Sequence, residues 1–398
     1  MALFSSVELA PRDPILGMTE QFNADARSGK VNLGVGVYFD ADGKLPILQC
    51  VLAAERQLAD APKPKGYLPI DGMPAYDRAV QELVFGADSA ALREGRVATV
   101  QTLGGTGGLK VGADFLQRLN PQAQVLISDP SWENHRALFT QAGFEVQTYP
   151  YYDAAARGIR FDAMLAALNA AAPGTVVVLH ACCHNPTGYD LDAAQWAQVV
   201  QAVKARGLVP FLDMAYQGFG DGIAEDGAAV QQFLRAGLDF FVATSFSKSF
   251  SLYGERVGAL SVVCSDKDEA ARVLSRLKVL IRGNYSNPPT HGAQVVAMVL
   301  TTPALRKMWE EELAGMRLRI RAMREALVQR LAAAGVKQDM SFIARQKGMF
   351  SYSGLTAEQM QRLRGEFAVY GIDSGRICVA ALNERNLGPV VEAIAKVA

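Results

Sequence analysis

The chain has 398 residues, more than a single hydrophobic core usually spans, so two structural domains are expected. Its 50% hydrophobic content excludes a disordered chain, and 40 Lys+Arg against 40 Asp+Glu leave no global charge to attract nucleic acid or an anionic membrane. Cys50, Cys182, Cys183, Cys264 and Cys378 are scattered without a CxxC pair. That pattern suits a reducing compartment and offers neither a disulfide scaffold nor a zinc spacing.

Met1 to Pro14 carries Glu8, Arg12 and Asp13 and has no basic stretch followed by an apolar one, so it does not read as a signal peptide. No apolar run reaches transmembrane length, and the expected location is the cytoplasm. Val31 to Tyr38 reads as a short strand too isolated to fold alone. From about residue 75 to 300, short apolar runs alternate with amphipathic stretches, the pattern of βα units around a mainly parallel sheet. Val125–Ser128, Val176–His180, Val209–Leu212 and Phe240–Ser245 are the clearest strands; they are continuously apolar, as strands buried on both faces are. Leu305 to Ala334 is long and helical. Beyond it, Met349–Ser353, a helical Thr356–Tyr370 and a strand at Ile377–Ala380 suggest a smaller α+β unit, whose partner is the segment around Val31. The expected division is an N-terminal arm over 1–14, a discontinuous small domain over 15–45 and 314–398, and a large domain over 46–313.

Gly104-Gly105-Thr106-Gly107-Gly108 precedes a helical stretch, Leu109–Leu119, and places flexible backbone and a hydroxyl where free N–H groups and the helix dipole favour an anion. Glycine runs also serve tight packing, and this one is not a dinucleotide fingerprint. Asp213 closes the run Val209–Leu212, at the carboxyl end of an expected strand, where open α/β sheets collect ligands. Lys248 follows another apolar strand, wedged in Ser245-Phe246-Ser247-Lys248-Ser249-Phe250. Desolvation there lowers the pKa of an amine and suits it to imine formation. An aspartate, a lysine and a phosphate cradle are the parts that a pyridoxal phosphate site needs.

Ser245-x-Ser247-Lys248, then seven residues, then Arg256-x-Gly258 is similar to the lysine signature of class I aminotransferases. Further landmarks stand in that family's order: Lys65-Gly66-Tyr67, Gly104-Gly105-Thr106, Pro130 to His135, His184-Asn185-Pro186-Thr187-Gly188, Asp213 to Tyr216, Arg282 to Tyr285 and Ser374-Gly375-Arg376. The resemblance covers nearly the whole chain and lies closest to the aspartate and aromatic amino acid branch. It implies an α/β chain of fold type I, with a large domain that binds pyridoxal 5'-phosphate and a smaller α+β domain.

Carried over, the resemblance implies that Lys248 is the Schiff-base lysine and proton carrier, that Asp213 keeps the ring nitrogen protonated, and that His135 holds that carboxylate. Tyr216 and Asn185 would bond the phenolic oxygen, and Trp132 would stack on the ring. Gly105, Thr106, Ser245, Ser247 and Arg256 would hold the phosphate, joined by Tyr67 from the other subunit of a homodimer. Arg376 would grip the substrate α-carboxylate, and Arg282 would reach across the dimer to a distal carboxylate. Gly36, Trp132 and Asn185 complete the expected substrate contacts.

Amino acids and 2-oxo acids are the implied small-molecule partners, with no nucleic acid and no membrane. The resemblance places Phe39 and Leu45 near the entrance, where aspartate-selective relatives tend to be more polar; an apolar lining would favour phenylalanine and tyrosine while Arg282 still admits 2-oxoglutarate, and ordinary packing is their other reading. The expected activity is an aromatic aminotransferase that also takes aspartate, by a ping-pong mechanism. A strict aspartate aminotransferase is the alternative, followed by another fold type I reaction and by a non-catalytic regulator on this scaffold.

Overall fold

The computed structural model describes residues 3–10 and 16–398. Residues 1, 2 and 11–15, which include part of the expected N-terminal arm, lie outside the described residues. The chain divides into two compact units. The large one takes residues 45–321 and 345–348; the small one takes the residues before 45, Ala322–Ala344 and Met349–Ala398. The dividing point therefore falls at 321/322 rather than 313/314.

In the large unit, seven strands form one sheet: β1 (Val97–Leu103), β2 (Gln124–Asp129), β3 (Glu145–Pro150), β4 (Val176–His180), β5 (Val209–Met214), β6 (Phe240–Ser245) and β7 (Val257–Val263). Their order is β1-β7-β6-β5-β4-β2-β3, with only β7 antiparallel to its neighbours. β4, β6 and β7 are buried along their whole length, which explains why β4 and β6 read as continuously apolar runs. Phe211 on β5 packs against Phe241 on β6 and Phe139, and the core continues through Val111, Phe115, Val176 and Leu260.

Helix α1 spans Gly104–Leu119, so it begins five residues before Leu109 and the glycine run forms its first turns. Close packing explains the composition: a Cβ on Gly108 would meet the Ala259 carbonyl at 3.0 Å, and one on Gly112 would meet the Phe211 ring at 2.6 Å. Helix α2 covers Glu133–Gln141, α3 covers Lys267–Asn284 and α4 covers Pro303–Ala333.

In the small unit, Val31–Asn32 pairs in parallel with Val369–Tyr370, and Phe350–Tyr352 pairs antiparallel with Arg376–Cys378. The expected strand Val31–Tyr38 is cut to two residues because the Asn32 side chain accepts the Gly34 N–H at 3.0 Å and turns the chain. The expected helix Thr356–Tyr370 stops at Phe367, since Ala368 is left-handed (φ 56°) and releases Val369–Tyr370 to the sheet. The expected strand Ile377–Ala380 begins at Arg376 and turns into a 3₁₀ segment at Val379.

Gly258 of β7 leaves no room for a side chain: a Cβ there would stand 2.3 Å from the Gly104 carbonyl carbon and 2.7 Å from the Thr244 carbonyl oxygen, both main chain. Gly258→Ala should cost about 3 kcal/mol in urea unfolding, the upper end for overpacking. Gly315→Ala, in open space on α4, should instead gain up to about 1 kcal/mol. Equal midpoints for the two variants would contradict this packing.

Candidate active site

β5 and β6 are adjacent and parallel, so Asp213 near the end of β5 and Lys248, three residues past the end of β6, emerge at the same edge of the sheet. One cavity there is lined by Gly105, Thr106, Trp132, Asn185, Asp213, Tyr216, Ser245, Ser247, Lys248 and Arg256. These sequence-predicted residues come from six separate stretches of chain.

Asp213 is 6% exposed, and its Oδ2 lies 2.9 Å from Nε2 of His135, which is fully buried. Nδ1 of His135 bonds Ser131 at 2.9 Å, and Trp132 packs edge-on against the same imidazole at 5.3 Å. Burial alone would raise the Asp213 pKa; the His135 hydrogen bond, with the charges of the neighbouring imidazoles and Lys248, outweighs it and holds the carboxyl below its ordinary value. Lys248 is partly buried and lines the cavity, and burial pushes its amine down to about 8 despite the opposing pull of Asp213. Its Nζ lies 5.2 Å from the centre of the Tyr216 ring.

A second group of side chains surrounds the start of α1. Arg256 is left-handed (φ 54°), and its carbonyl accepts the Gly104 N–H at 2.9 Å. Its guanidinium donates to the Ser247 hydroxyl and the Tyr253 carbonyl, which are both neutral. A Cβ on Gly104 would lie 2.5 Å from the Arg256 Nη2, so only glycine leaves the arginine this place. Ser245 accepts the Ser247 N–H at 3.3 Å. A helix N-terminus, an arginine and three hydroxyls thus converge on one end of the cavity, a donor set matched to a phosphate dianion.

Two carboxylates, Asp190 partly buried and Asp226 buried, fix the loops that deliver the other residues. Asp190 accepts the N–H groups of Cys183 and His184, one on each oxygen, and so sets the turn that presents Asn185. Asp226 accepts those of Gly218, Gly220 and Asp221, in the loop that follows Tyr216. His184 is bonded at both nitrogens, to Ser128 and Thr187, and stacks on Tyr151 at 4.0 Å.

Other predicted residues lie elsewhere. Tyr67 is 95% exposed, and Arg282 is exposed on α3 with its guanidinium donating to Ser286. Gly36 and Arg376 belong to the small unit, where Arg376 is 1% exposed. Phe39 lines a groove of the small unit with Val31 and Val35, and Leu45 is half-exposed on the large one. His180, Leu109 and Ala215 line the cavity without having been singled out in the sequence. His180 ends β4 in direct register with Asp213, so the strand-end rule that marks Asp213 also reaches it.

Donors suited to a phosphate, an ionised carboxylate and a desolvated amine line one cavity, and they fit pyridoxal phosphate: a dianion, a ring nitrogen that takes a proton, and an aldehyde. Such a set is what a pyridoxal-phosphate-dependent α/β enzyme requires. The chain belongs to the class I and II aminotransferases, whose family model matches residues 28–394. It is 62% identical over 397 residues to an aspartate aminotransferase of Pseudomonas aeruginosa, with 100% of each chain covered. It is 52% identical to an aromatic-amino-acid aminotransferase of Escherichia coli, covering 99% of this chain and 100% of that one. A crystal structure of an aromatic-amino-acid aminotransferase from Burkholderia pseudomallei, covalently bound to pyridoxal phosphate, superposes with a TM-score of 0.98 at 66% identity and 100% coverage of both. The chain is accordingly a pyridoxal-phosphate-dependent transaminase, and the regulator reading is set aside.

His135→Leu leaves Asp213 buried without its main partner, so burial would then raise the carboxyl pKa above its unfolded value. The carboxylate should cost about 3 kcal/mol at neutral pH, as a buried charge stripped of its partner does. The sign follows by linkage: wild-type Asp213 stabilises above its unfolded pKa and loses this as pH falls, whereas the variant gains by protonation. The gap in thermal stability between variant and wild type should therefore be widest near pH 7 and shrink towards pH 4. A gap independent of pH would contradict it.

Proposed function

We propose that the chain transfers the amino group of phenylalanine, tyrosine and aspartate to 2-oxoglutarate, by a ping-pong mechanism, as a cytoplasmic homodimer in amino acid metabolism. The observation that carries this reading is the pairing of the desolvated Lys248 amine with the His135-bonded Asp213 beside a phosphate cradle. When bound, pyridoxal phosphate supplies an aldehyde that condenses with amines and a protonated ring that draws electrons from the carbon being deprotonated.

The chain's own residues do the rest. Gly105, Thr106, Ser245, Ser247 and Arg256 bind the phosphate. Asp213 holds a proton at the ring nitrogen, and its charge persists because His135 outweighs burial. Tyr216 and Asn185 donate to the phenolic oxygen, and Trp132 covers the ring. Lys248 would hold the cofactor through Nζ and would be the base that takes the proton from the substrate Cα. An amine with a pKa near 8 is neutral often enough at physiological pH to act as this base.

Arg376 binds the α-carboxylate, with Gly36 leaving room beside it. Tyr67 and Arg282 serve the partner subunit's site, a reading supported by their exposure on the protomer. Leu3, Phe4, Val7 and Leu9 are also exposed, which gives a dimer apolar surface to cover. The five cysteines are free and buried, as a reducing cytoplasm allows. The substrate range draws on relatives named for both aspartate and aromatic amino acids. The 62% identical relative named for aspartate keeps strict aspartate use as the second reading.

Capture of the cofactor by the apoprotein should rise with pH around a midpoint near 8, because only the neutral Lys248 amine adds to an aldehyde. In Asp213→Asn that midpoint should fall, since the Asp213 charge raises the lysine pKa. Stopped-flow absorbance measures both; an unmoved or higher midpoint in the variant would break the link between the two residues.

Substrate range is tested by half-reactions of Arg282→Ala with single amino donors. Aspartate should lose about 2 to 5 kcal/mol in kcat/KM, because its distal carboxylate is left without a charged partner. Phenylalanine should lose little, having no distal charge to satisfy. Equal losses for the two donors would refute the role given to Arg282.

A further inference from the structure

We propose that Phe350 is a positioning residue for Arg376, an aromatic platform that fixes the plane of the guanidinium before any carboxylate arrives. The inference rests on the reading of Arg376 as the α-carboxylate ligand. In the two-stranded ladder of the small unit, Phe350 lies opposite Cys378 and Tyr352 lies opposite Arg376. Phe350 and Arg376 are therefore diagonal neighbours on one face, within reach of long side chains. The Arg376 guanidinium carbon stands 4.5 Å from the centre of the Phe350 ring, and Nη2 donates to the Gly34 carbonyl at 2.7 Å. Both side chains are buried, at 1% and 3% exposure.

The ring is itself held. Arg324, which is also buried, donates from Nη2 to the Phe350 carbonyl at 3.1 Å and from Nε to the Ser351 hydroxyl at 3.2 Å. On the ring's outer edge the main chain of Gly36 passes so close that a Cβ there would lie 2.6 Å from the Phe350 Cζ. Gly36 is thus required by Phe350, whatever its relation to substrate.

The chemistry favours an aromatic ring in this place. A bidentate grip on a carboxylate needs a guanidinium of fixed plane and intact charge. A carboxylate beside Arg376 would orient it but would occupy its N–H donors and offset its charge. The face of a ring attracts the cation through its quadrupole and uses none of the donors.

The experiment replaces Phe350 in the holoenzyme with phenylalanines carrying one, two and three fluorines, which drain the ring face while nearly conserving its shape. KM should climb stepwise along the series for amino donor and 2-oxo acid alike, while kcat and the visible absorbance of the cofactor stay near wild type. Phe350→Leu should raise both KM values by about 10- to 30-fold, the range of a desolvated cation–π contact. Gly36→Ala, which displaces the ring, should move KM in the same direction. Arg376→Lys is the control on the underlying reading and should raise KM for every substrate. If it does so and KM stays flat across the fluorine series, the platform role is overturned while the Arg376 assignment stands. If Arg376→Lys leaves KM unchanged, the assignment falls and the proposal with it.

Discussion

A carboxylate kept ionised in the interior is the constraint around which the large unit is built. Desolvation by itself would favour the neutral form of Asp213, and the role proposed for it, holding a proton on a ring nitrogen, needs the charge. The remedy is distributed: Asp213 sits near the end of β5, His135 comes from α2, and Ser131 orients the imidazole from the turn before that helix. The same charge reaches Lys248. It raises an amine pKa that burial lowers, and the balance leaves the lysine near 8. Each group sets the working protonation state of the other, so neither can be tuned alone.

The precision of the remaining ligands is bought from main-chain hydrogen bonds. The loops that carry Asn185 and follow Tyr216 leave β4 and β5 at the buried edge of a sheet, where unpaired N–H groups are costly. Asp190 and Asp226 satisfy five of these donors between them. Burial pushes the Asp190 carboxyl up to about 6, so part of the intrinsic stability of the carboxylate is given up to hold the turn. That exchange is reasonable where a loop must behave as rigidly as the strand it follows.

What could be read from the sequence follows from how local each signal is. Continuous apolar runs mark strands buried on both faces, and β2, β4, β5 and β6 stand where those runs lie. A polar residue at the end of such a run announces itself, which is how Asp213 stood out; His180 carries the same mark but hides among the Val and Leu of β4. Asp190 and Asp226 gave no signal, because their partners are backbone N–H groups that no residue identity reveals. The strand at Val31 was misjudged in length for a similar reason: the Asn32 side chain turns the chain only when it accepts the Gly34 N–H. Glycines 104–108 were placed ahead of the helix because helix propensity disfavours them, and close packing, as of Gly108 against the Ala259 carbonyl, overrides it.

A net charge of zero concealed the electrostatics of the site altogether. Arg27 and Arg364 are paired with Asp25 and Asp373, and they cancel in place as well as in the sum. The arginines assigned to anionic ligands are held differently. Arg256 donates to a serine hydroxyl and a carbonyl, Arg282 to Ser286, and Arg376 to a carbonyl while it lies against a ring. Neutral acceptors orient a guanidinium without offsetting its charge, so Arg256 and Arg282 keep theirs in a chain that is neutral overall. In the function proposed above these two arginines meet a phosphate and a distal carboxylate, and a cation held by neutral partners suits either anion.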